Sequence, residues 1–403
     1  MNTGRLVFSQ IIDLIHREQF DRCVSKYPMP RSSRTFSARD QWLCKIFAQL
    51  TFRESLRDIE ACLRSQPRLL YAMGIRGNVV KSNLAYANEN RDWRVYFELA
   101  QILMRMARKL YSKEKYIEEI DQIVYAVDAS VVDLCLSLFP WARFRRTKSA
   151  VKIHAMIDLQ GSIPAFVAIT EGKIHDVNAL DWIVFEPGAF YVMDRAYVDF
   201  ARLARVDEAG AFFVTRAKSN MSFYVRESRV VDKSTGLRAD QIIRLNGQRT
   251  KKLYPRDLRR ISYLDSETGK TLVFLTNNFV IEAIIVAKIY KARWQIELFF
   301  KWLKQNLRIK AFYGTSENAV KTQIWIAVST YLLVAILNKQ LKLDQSMSRI
   351  LQVLSVNAFS KNPIFQLLMI NDTRDDEINV HNQLMFNDFK LDSSAITYYQ
   401  CLG

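Results

Sequence analysis

The chain has 403 residues, of which 49% are hydrophobic and 25% charged, and it carries a formal net charge of +17. That composition belongs to a folded protein with about two or three structural units, and it excludes a disordered or low-complexity chain. The cationic excess argues for a polyanionic partner. Five scattered cysteines and four histidines show no paired ligand spacing, which excludes a zinc site and fits a reducing cytoplasm.

The first twenty residues interleave charges with apolar positions and read as helix, not as a signal peptide. Residues 1 to 120 continue helix after helix. Ser37 is positioned to cap a helix through Leu50, and Thr51 opens another through Leu63. A turn follows at Gly74 and Gly77, and then Ser82 caps a helix to Leu110. Arg53, Arg57, Arg64, Arg76, Lys81, Arg91 and Arg94 on these helices suit a helix-turn-helix-like DNA-binding unit, with a plain scaffold as the alternative.

Near residue 122 the pattern changes to strands. Ile123 to Val127 is a short β-branched run ending at Asp128. Val151 to Leu159 and Ile163 to Thr170 form a hairpin across Gln160-Gly161. Asp176 to Val184 reads as helix, Phe190 to Met193 as a strand ending at Asp194, Ala201 to Ala209 as helix and Ala211 to Thr215 as strand. Hairpin strands followed by strands alternating with helices describe an α/β fold, a mixed sheet covered by helices. Short strands with basic turns fill residues 219–275, too long a stretch for an ordinary loop, and read as a β-rich insertion.

The stretch from Tyr290 to Lys304, YKARWQIELFFKWLK, has no Pro or Gly and reads as one helix. Tyr290, Arg293, Glu297, Lys301 and Lys304 fall within an arc of roughly 80° on it. The plain alternative is an amphipathic surface helix with Glu–Lys pairs. The apolar run Ile324 to Leu337 is shorter than the roughly 18 residues that span a bilayer, so we expect a core helix and no membrane segment. Another helix is expected near 346–369, and then a polar, acidic tail from Asn371. The expected division is 1–120 helical, 121–345 mixed, and 346–403 a C-terminal helix with its tail.

Three acids stand out: Asp128 and Asp194 at strand ends, and Glu297 on the helix. Strand ends of open sheets are where ligands bind. Carboxylates are hard ligands suited to Mg²⁺ or Mn²⁺, and two such ions about 3.5–4 Å apart serve phosphodiester chemistry. Taken singly, a strand-end Asp is more often a turn or cap residue.

With AVDAS around Asp128, TEGKIHD at 170–176, VMDRAY around Asp194, VTRAKSN at 215–220 and LTNNF at 275–279, the spacing Tyr290, Arg293, Glu297, Lys304 resembles the Y-x2-R-x3-E-x6-K signature of DDE transposases of the insertion-sequence-four family. The likeness covers roughly residues 120 to 340, and the helical N-terminal part resembles, more weakly, the domain that precedes the catalytic domain in this group. It implies an RNase H-like fold with a β-rich insertion before the catalytic helix. It also implies DNA cleavage and strand transfer at the terminal inverted repeats of a mobile element, through a hairpin. Carried over by position, Asp128, Asp194 and Glu297 would hold the metal; Tyr290, Arg293 and Lys304 would contact end phosphates, Lys301 would add charge and Trp294 would stack on an unpaired base. A homodimer holding two ends and a target duplex are what family behaviour suggests.

Arg143, Arg145, Arg146, Lys148 and Lys152 after the first Asp, and Arg216 and Lys218 after the fifth strand, are candidates for the DNA backbone, with a solvated loop as the alternative. His175 and Asp176 are candidates for positioning metal or water, with Asp176 as a cap of the following helix as the alternative, and Arg195 and Tyr197 are candidates for phosphate contact or packing. The competing functions are an RNase H-like nuclease, a non-catalytic DNA-binding protein, and a two-carboxylate hydrolase that leaves the basic stripe unused.

Overall fold

The computed structural model describes residues 4–29, 35–306, 312–343 and 345–369. The expected tail from Asn371 lies outside them. The N-terminal helices are α1 (Val7–Ile12), α2 (Arg17–Ser25), α3 (Ala38–Leu50), α4 (Leu56–Arg64), α5 (Pro67–Leu70), α6 (Lys81–Asn90) and α7 (Arg94–Tyr111). Ser37 does cap α3, accepting from the Asp40 amide while the Asp40 carboxylate takes the Ser37 amide. The helix expected from Ser82 to Leu110 is two helices. Asp92 ends the first register by capping the Arg94 amide at 2.9 Å, and Arg91 turns inward onto the Phe36 and Ser37 carbonyls.

The strands are β1 (Val124–Leu134), β2 (Arg143–Arg145), β3 (Lys148–Asp158), β4 (Ile163–Glu171), β5 (Phe190–Met193), β6 (Phe212–Arg216), β7 (Phe223–Arg229), β8 (Leu237–Leu245), β9 (Leu258–Leu264) and β10 (Thr271–Thr276). Among the described residues they make one sheet in the order β2-β3-β1-β5-β6-β10-β9-β8-β7, with β4 on β3. β1, β5 and β6 are parallel, and the other pairs are antiparallel. The parallel strands are apolar on both faces because both are covered. Ala126, Phe190, Val192 and Val214 meet one core, and Tyr125, Val127, Tyr191, Met193 and Phe213 meet another under α8 (Phe200–Glu208). The stretch expected as an insertion is a continuation of this sheet: β10 pairs with β6, and β9, β8 and β7 extend the same edge beside the short α9 (Thr250–Leu253).

After β10 come α10 (Ala283–Ala292), α11 (Trp294–Asn306), α12 (Glu317–Gln340), α13 (Met347–Asn357) and α14 (Ile364–Leu368). Pro363 separates the last two, where one helix was expected. α12 is apolar all round and is long and apolar enough to cross a membrane, but 94% of its most apolar window is buried inside the protein. α3, α6 and α7 pack on it from one side and β4 from another. Tyr331 of α12 donates to the Ser162 carbonyl at 2.8 Å, and a Cβ at neighbouring Gly161 would collide with the Tyr111 ring of α7. α1 is tied to the C-terminal helices by the Val7 amide on the Ser360 carbonyl and by Gln10, which bonds the Asn362 carbonyl and the Ile364 amide. The N-terminal helices, α10–α14 and one face of the sheet thus share a continuous core.

Candidate active site

The site begins where two parallel strands part. β1 and β5 pair as far as Val127 opposite Met193, so Asp128 and Asp194 follow on neighbouring strands. Asp128 does not end its strand, contrary to expectation. β5 stops there while β1 runs on to Leu134 against β3, and the acid sits at the fork. Beyond Asp194 a tight 3-10 turn, Arg195–Tyr197, folds back with the Tyr197 amide donating to the Asp194 carbonyl at 3.0 Å.

The expected single helix from Tyr290 to Lys304 is also divided. α10 ends at Ala292, α11 starts at Trp294, and Arg293 lies between them. Its amide donates to the Tyr290 carbonyl at 3.2 Å and its carbonyl accepts from the Ile296 amide at 3.1 Å, three-residue spacings that tighten the backbone. Tyr290 therefore belongs to the preceding helix. Its ring packs 4.9 Å from Phe274 and its hydroxyl approaches Asp194 Oδ1 at 3.4 Å.

From the break, the Arg293 guanidinium reaches into the acids. Nη1 donates to Asp128 Oδ2 at 3.0 Å and Nη2 to Glu297 Oε1 at 2.5 Å, while Nε is buried with no hydrogen-bond partner. Asp128 Oδ1 accepts from the Ala129 amide at 2.8 Å. Burial pushes the Asp128 carboxyl up to about 6. The Ala129 amide and Arg293 pull it down, but Glu297 and Asp194 add repulsion. Burial also works against the Arg293 charge, yet Asp128 and Glu297 outweigh it and hold the guanidinium above its ordinary range.

The donor set suits a divalent ion in kind: two carboxylates, Asp128 and Glu297, converge on one positive charge, and a third, Asp194, follows the neighbouring strand. The spacing is set by Arg293 and not by an ion, for among the described residues no three potential ligands lie close enough to grip a metal together.

The remaining candidates are distributed as follows. Lys304 donates to the Val131 carbonyl at 2.7 Å, holding α11 along β1. Trp294 and Lys301 are exposed on α11, and Arg145 and Arg146 are exposed at the β2–β3 turn. Arg216 is half-buried near Tyr290, and Lys218 donates to the Val198 carbonyl at 2.9 Å. Lys152 is not a surface cation. It points inward from β3, donates to the Ile174 carbonyl at 2.6 Å and pairs with Asp176 at 2.7 Å, so its charge fixes the TEGKIHD loop and does not face a DNA backbone. Asp176 is accordingly engaged by Lys152, and His175, not Asp176, precedes the turn.

Tyr197 has surroundings that its sequence does not reveal. It is 1% exposed, its hydroxyl has no hydrogen-bond partner, and its charged neighbours are Asp128, Asp176, Arg293 and Asp194. Within VMDRAY nothing distinguishes a packing tyrosine from a polar one. Only the fold brings its hydroxyl under the acids.

Known families and proteins resemble the chain, one family over the region of the site. The family described as Transposase DDE domain matches residues 119–333, more than half of the chain, and a domain of unknown function (DUF4372) matches residues 3–76. A transposase of Sinorhizobium fredii, y4zB, is 32% identical over 257 residues, covering 63% of this chain and 70% of its own. A transposase for insertion sequence element IS5377 of Geobacillus stearothermophilus is 31% identical, over 55% of this chain and 58% of its own. A transposase for insertion sequence element IS4SA of Synechocystis is 26% identical, over 66% and 74%. The fork of acids, the mixed sheet around it and these matches lead to one conclusion: the chain belongs to the DDE transposases, enzymes that act on DNA by cleavage and strand transfer with the help of divalent metal.

Proposed function

We propose that the chain is the transposase of an insertion sequence, of the insertion-sequence-four group. It would cut and join DNA at the terminal inverted repeats of its element, through a hairpin on the element end. The observation that carries this reading is the convergence of Asp128 and Glu297 on Arg293, with Asp194 beside them. Two of the similar proteins are named for insertion sequence elements, which supports the substrate class.

In this reading Asp128, Asp194 and Glu297 are the metal ligands, for Mg²⁺ or Mn²⁺ and for two ions. When bound, such a metal would supply Lewis-acid chemistry at the scissile phosphate, with Asp128, Asp194 and Glu297 holding it. The protein's own groups supply the rest. Arg293 offers a planar fork for phosphate oxygens, Tyr290 steadies Asp194, and Lys304 holds α11 against β1. Lys301 and Trp294, exposed beside the acids, meet the backbone and an unpaired base. Arg145, Arg146, Arg216 and Lys218 extend the cationic surface. Residues 1–120 would read the repeat and residues 121–345 would carry the chemistry, with two copies of the chain in the cytoplasm holding two ends.

The test is cleavage of end-labelled DNA carrying the terminal repeats, with Mg²⁺, by the wild type and by Glu297→Gln. A hairpin product formed by the wild type and absent from the variant is expected. Nicked ends that are never joined or closed would make the protein a nuclease, and equal cleavage by both proteins would remove Glu297 from the site.

A further inference from the structure

From the contacts of Arg293 we infer that it is an internal counter-ion, which a DNA phosphate must draw off before the acids take up metal, so that metal uptake is coupled to end binding. This rests on the acids being the metal ligands, as proposed above.

Arg293 bridges Asp128 and Glu297, two of the three acids that would hold a divalent ion. A carboxylate oxygen engaged by a guanidinium at 3.0 Å or 2.5 Å has that lone pair committed, so metal and Arg293 compete for the same atoms. The competition is uneven without DNA. Arg293 is tethered by the chain and always charged, and hard divalent ions shed water reluctantly.

The arrangement also contains its own release. Arg293 leaves Nε buried and unpartnered, an unused donor beside one already spent on Glu297. A phosphate offers two oxygens in the geometry of that fork, and bidentate guanidinium–phosphate pairing is among the strongest charge-assisted contacts. The Glu297 side chain is 57% exposed, so this half of the bridge lies on the solvent side, where DNA would arrive. Arg293 is moreover the residue at which α10 and α11 part, a position where the side chain can swing with little change in either helix. Once the guanidinium turns to phosphate, Asp128, Glu297 and the adjacent Asp194 are left as uncompensated acids.

The experiment is calorimetric titration of Mn²⁺ into the full chain, alone and with a duplex ending in the terminal sequence of its own element. Wild-type protein should bind Mn²⁺ at least about tenfold more tightly with the duplex than without it. Arg293→Ala should bind it at least about tenfold more tightly than wild type in the absence of DNA, and gain little from the duplex. Arg293→Lys retains a charge on a shorter donor set and should fall between them, and a melting curve establishes that each variant is folded. Equal DNA-free affinity in wild type and Arg293→Ala overturns the proposal, as does an unchanged wild-type affinity when the duplex is added. Adding Asp128→Asn to Arg293→Ala separates the two readings. Loss of Mn²⁺ binding in the double variant supports the acids as ligands, whereas retained tight binding removes the acid-ligand reading itself.

Discussion

Two of the arginine–carboxylate centres in the sheet differ in how completely they are satisfied. In the outer meander, Arg259 of β9 grips both oxygens of Asp240 on β8 at 2.8 and 2.7 Å and spends its remaining nitrogen on the Asn278 and Ile281 carbonyls. Both side chains are almost wholly buried, at 3% and 7% exposure. At the fork of β1 and β5, Arg293 is shared between two acids, keeps an unpartnered Nε, and has a third acid nearby. A buried pair with every guanidinium nitrogen engaged is structural, because breaking it strands a charge. A pair with an unused donor and mutually repelling acids is held in readiness for something else.

The largest effect should separate the two centres by activity. Asp128→Asn, Asp194→Asn or Glu297→Gln should lower cleavage of terminal-repeat DNA by about a thousandfold or more, with binding to the same DNA nearly unchanged in a gel-shift assay. Near-normal strand transfer by any one of them would take that acid out of the site. Next comes stability. Arg259→Ala should cost about 3–5 kcal/mol in urea denaturation, since it leaves Asp240 buried and alone. Arg293→Ala should cost less, about 1 kcal/mol, because its second partner is largely in solvent and Asp128, whose carboxyl is already raised to about 6, can take up a proton once the guanidinium is gone. Comparable losses from the two substitutions would erase the distinction between the centres.

A pH profile tests the same contrast more finely. The Asp128 carboxyl, raised from an ordinary 3.8 to about 6, binds its proton more tightly in the folded state than in the unfolded one. Its contribution to metal-free stability is therefore present at low pH and lost as pH rises through about 6, the reverse of a carboxylate stabilised by pairing. At limiting Mg²⁺, cleavage should fall about tenfold per unit below pH 6, and added metal should move that limb to lower pH. A limb that ignores metal concentration would count against Asp128 as a ligand. The smallest effect expected is that of Tyr197→Phe. It removes a buried hydroxyl that has no partner in the free protein, so the melting temperature should hold or rise slightly. Mn²⁺ affinity should nevertheless fall by roughly threefold to tenfold if that hydroxyl supports the loaded acids. Unchanged affinity would make Tyr197 a packing residue.

Much of the centre could be read in advance because it is local. Alternation and length mark β3 and β4, Ser37 marks the start of α3, and the end of β5 marks Asp194, whereas Asp128 lies inside β1 and not at its end. What stayed hidden depends on partners distant in sequence. The break at Arg293 falls in KARWQ, where every residue is a tolerable helix former, and it coincides with a side chain turned toward β1. Lys152 looks like one more cation after Arg145 and Arg146 until β3 is flanked on both sides and its face proves to be interior. The strands of residues 219–275 carry no local sign that β10 will seek β6 and so prolong the main sheet. The helices of residues 1–120 do not announce that they share their core with α12.

That shared core sets an order on synthesis. Asp128, Asp194 and Glu297 have all been polymerised before the first residue of α12, yet α3, α6 and α7 have their apolar sides against that later helix, and Tyr331 pins the turn of the β3–β4 hairpin beside β1. A nascent chain stopped after Asn306 would possess every acid of the fork and no scaffold to hold them in register. Messages cut short before the codons of α12 would thus yield inert protein rather than a loose nuclease, and DNA would be exposed to cutting only by chains completed through that helix.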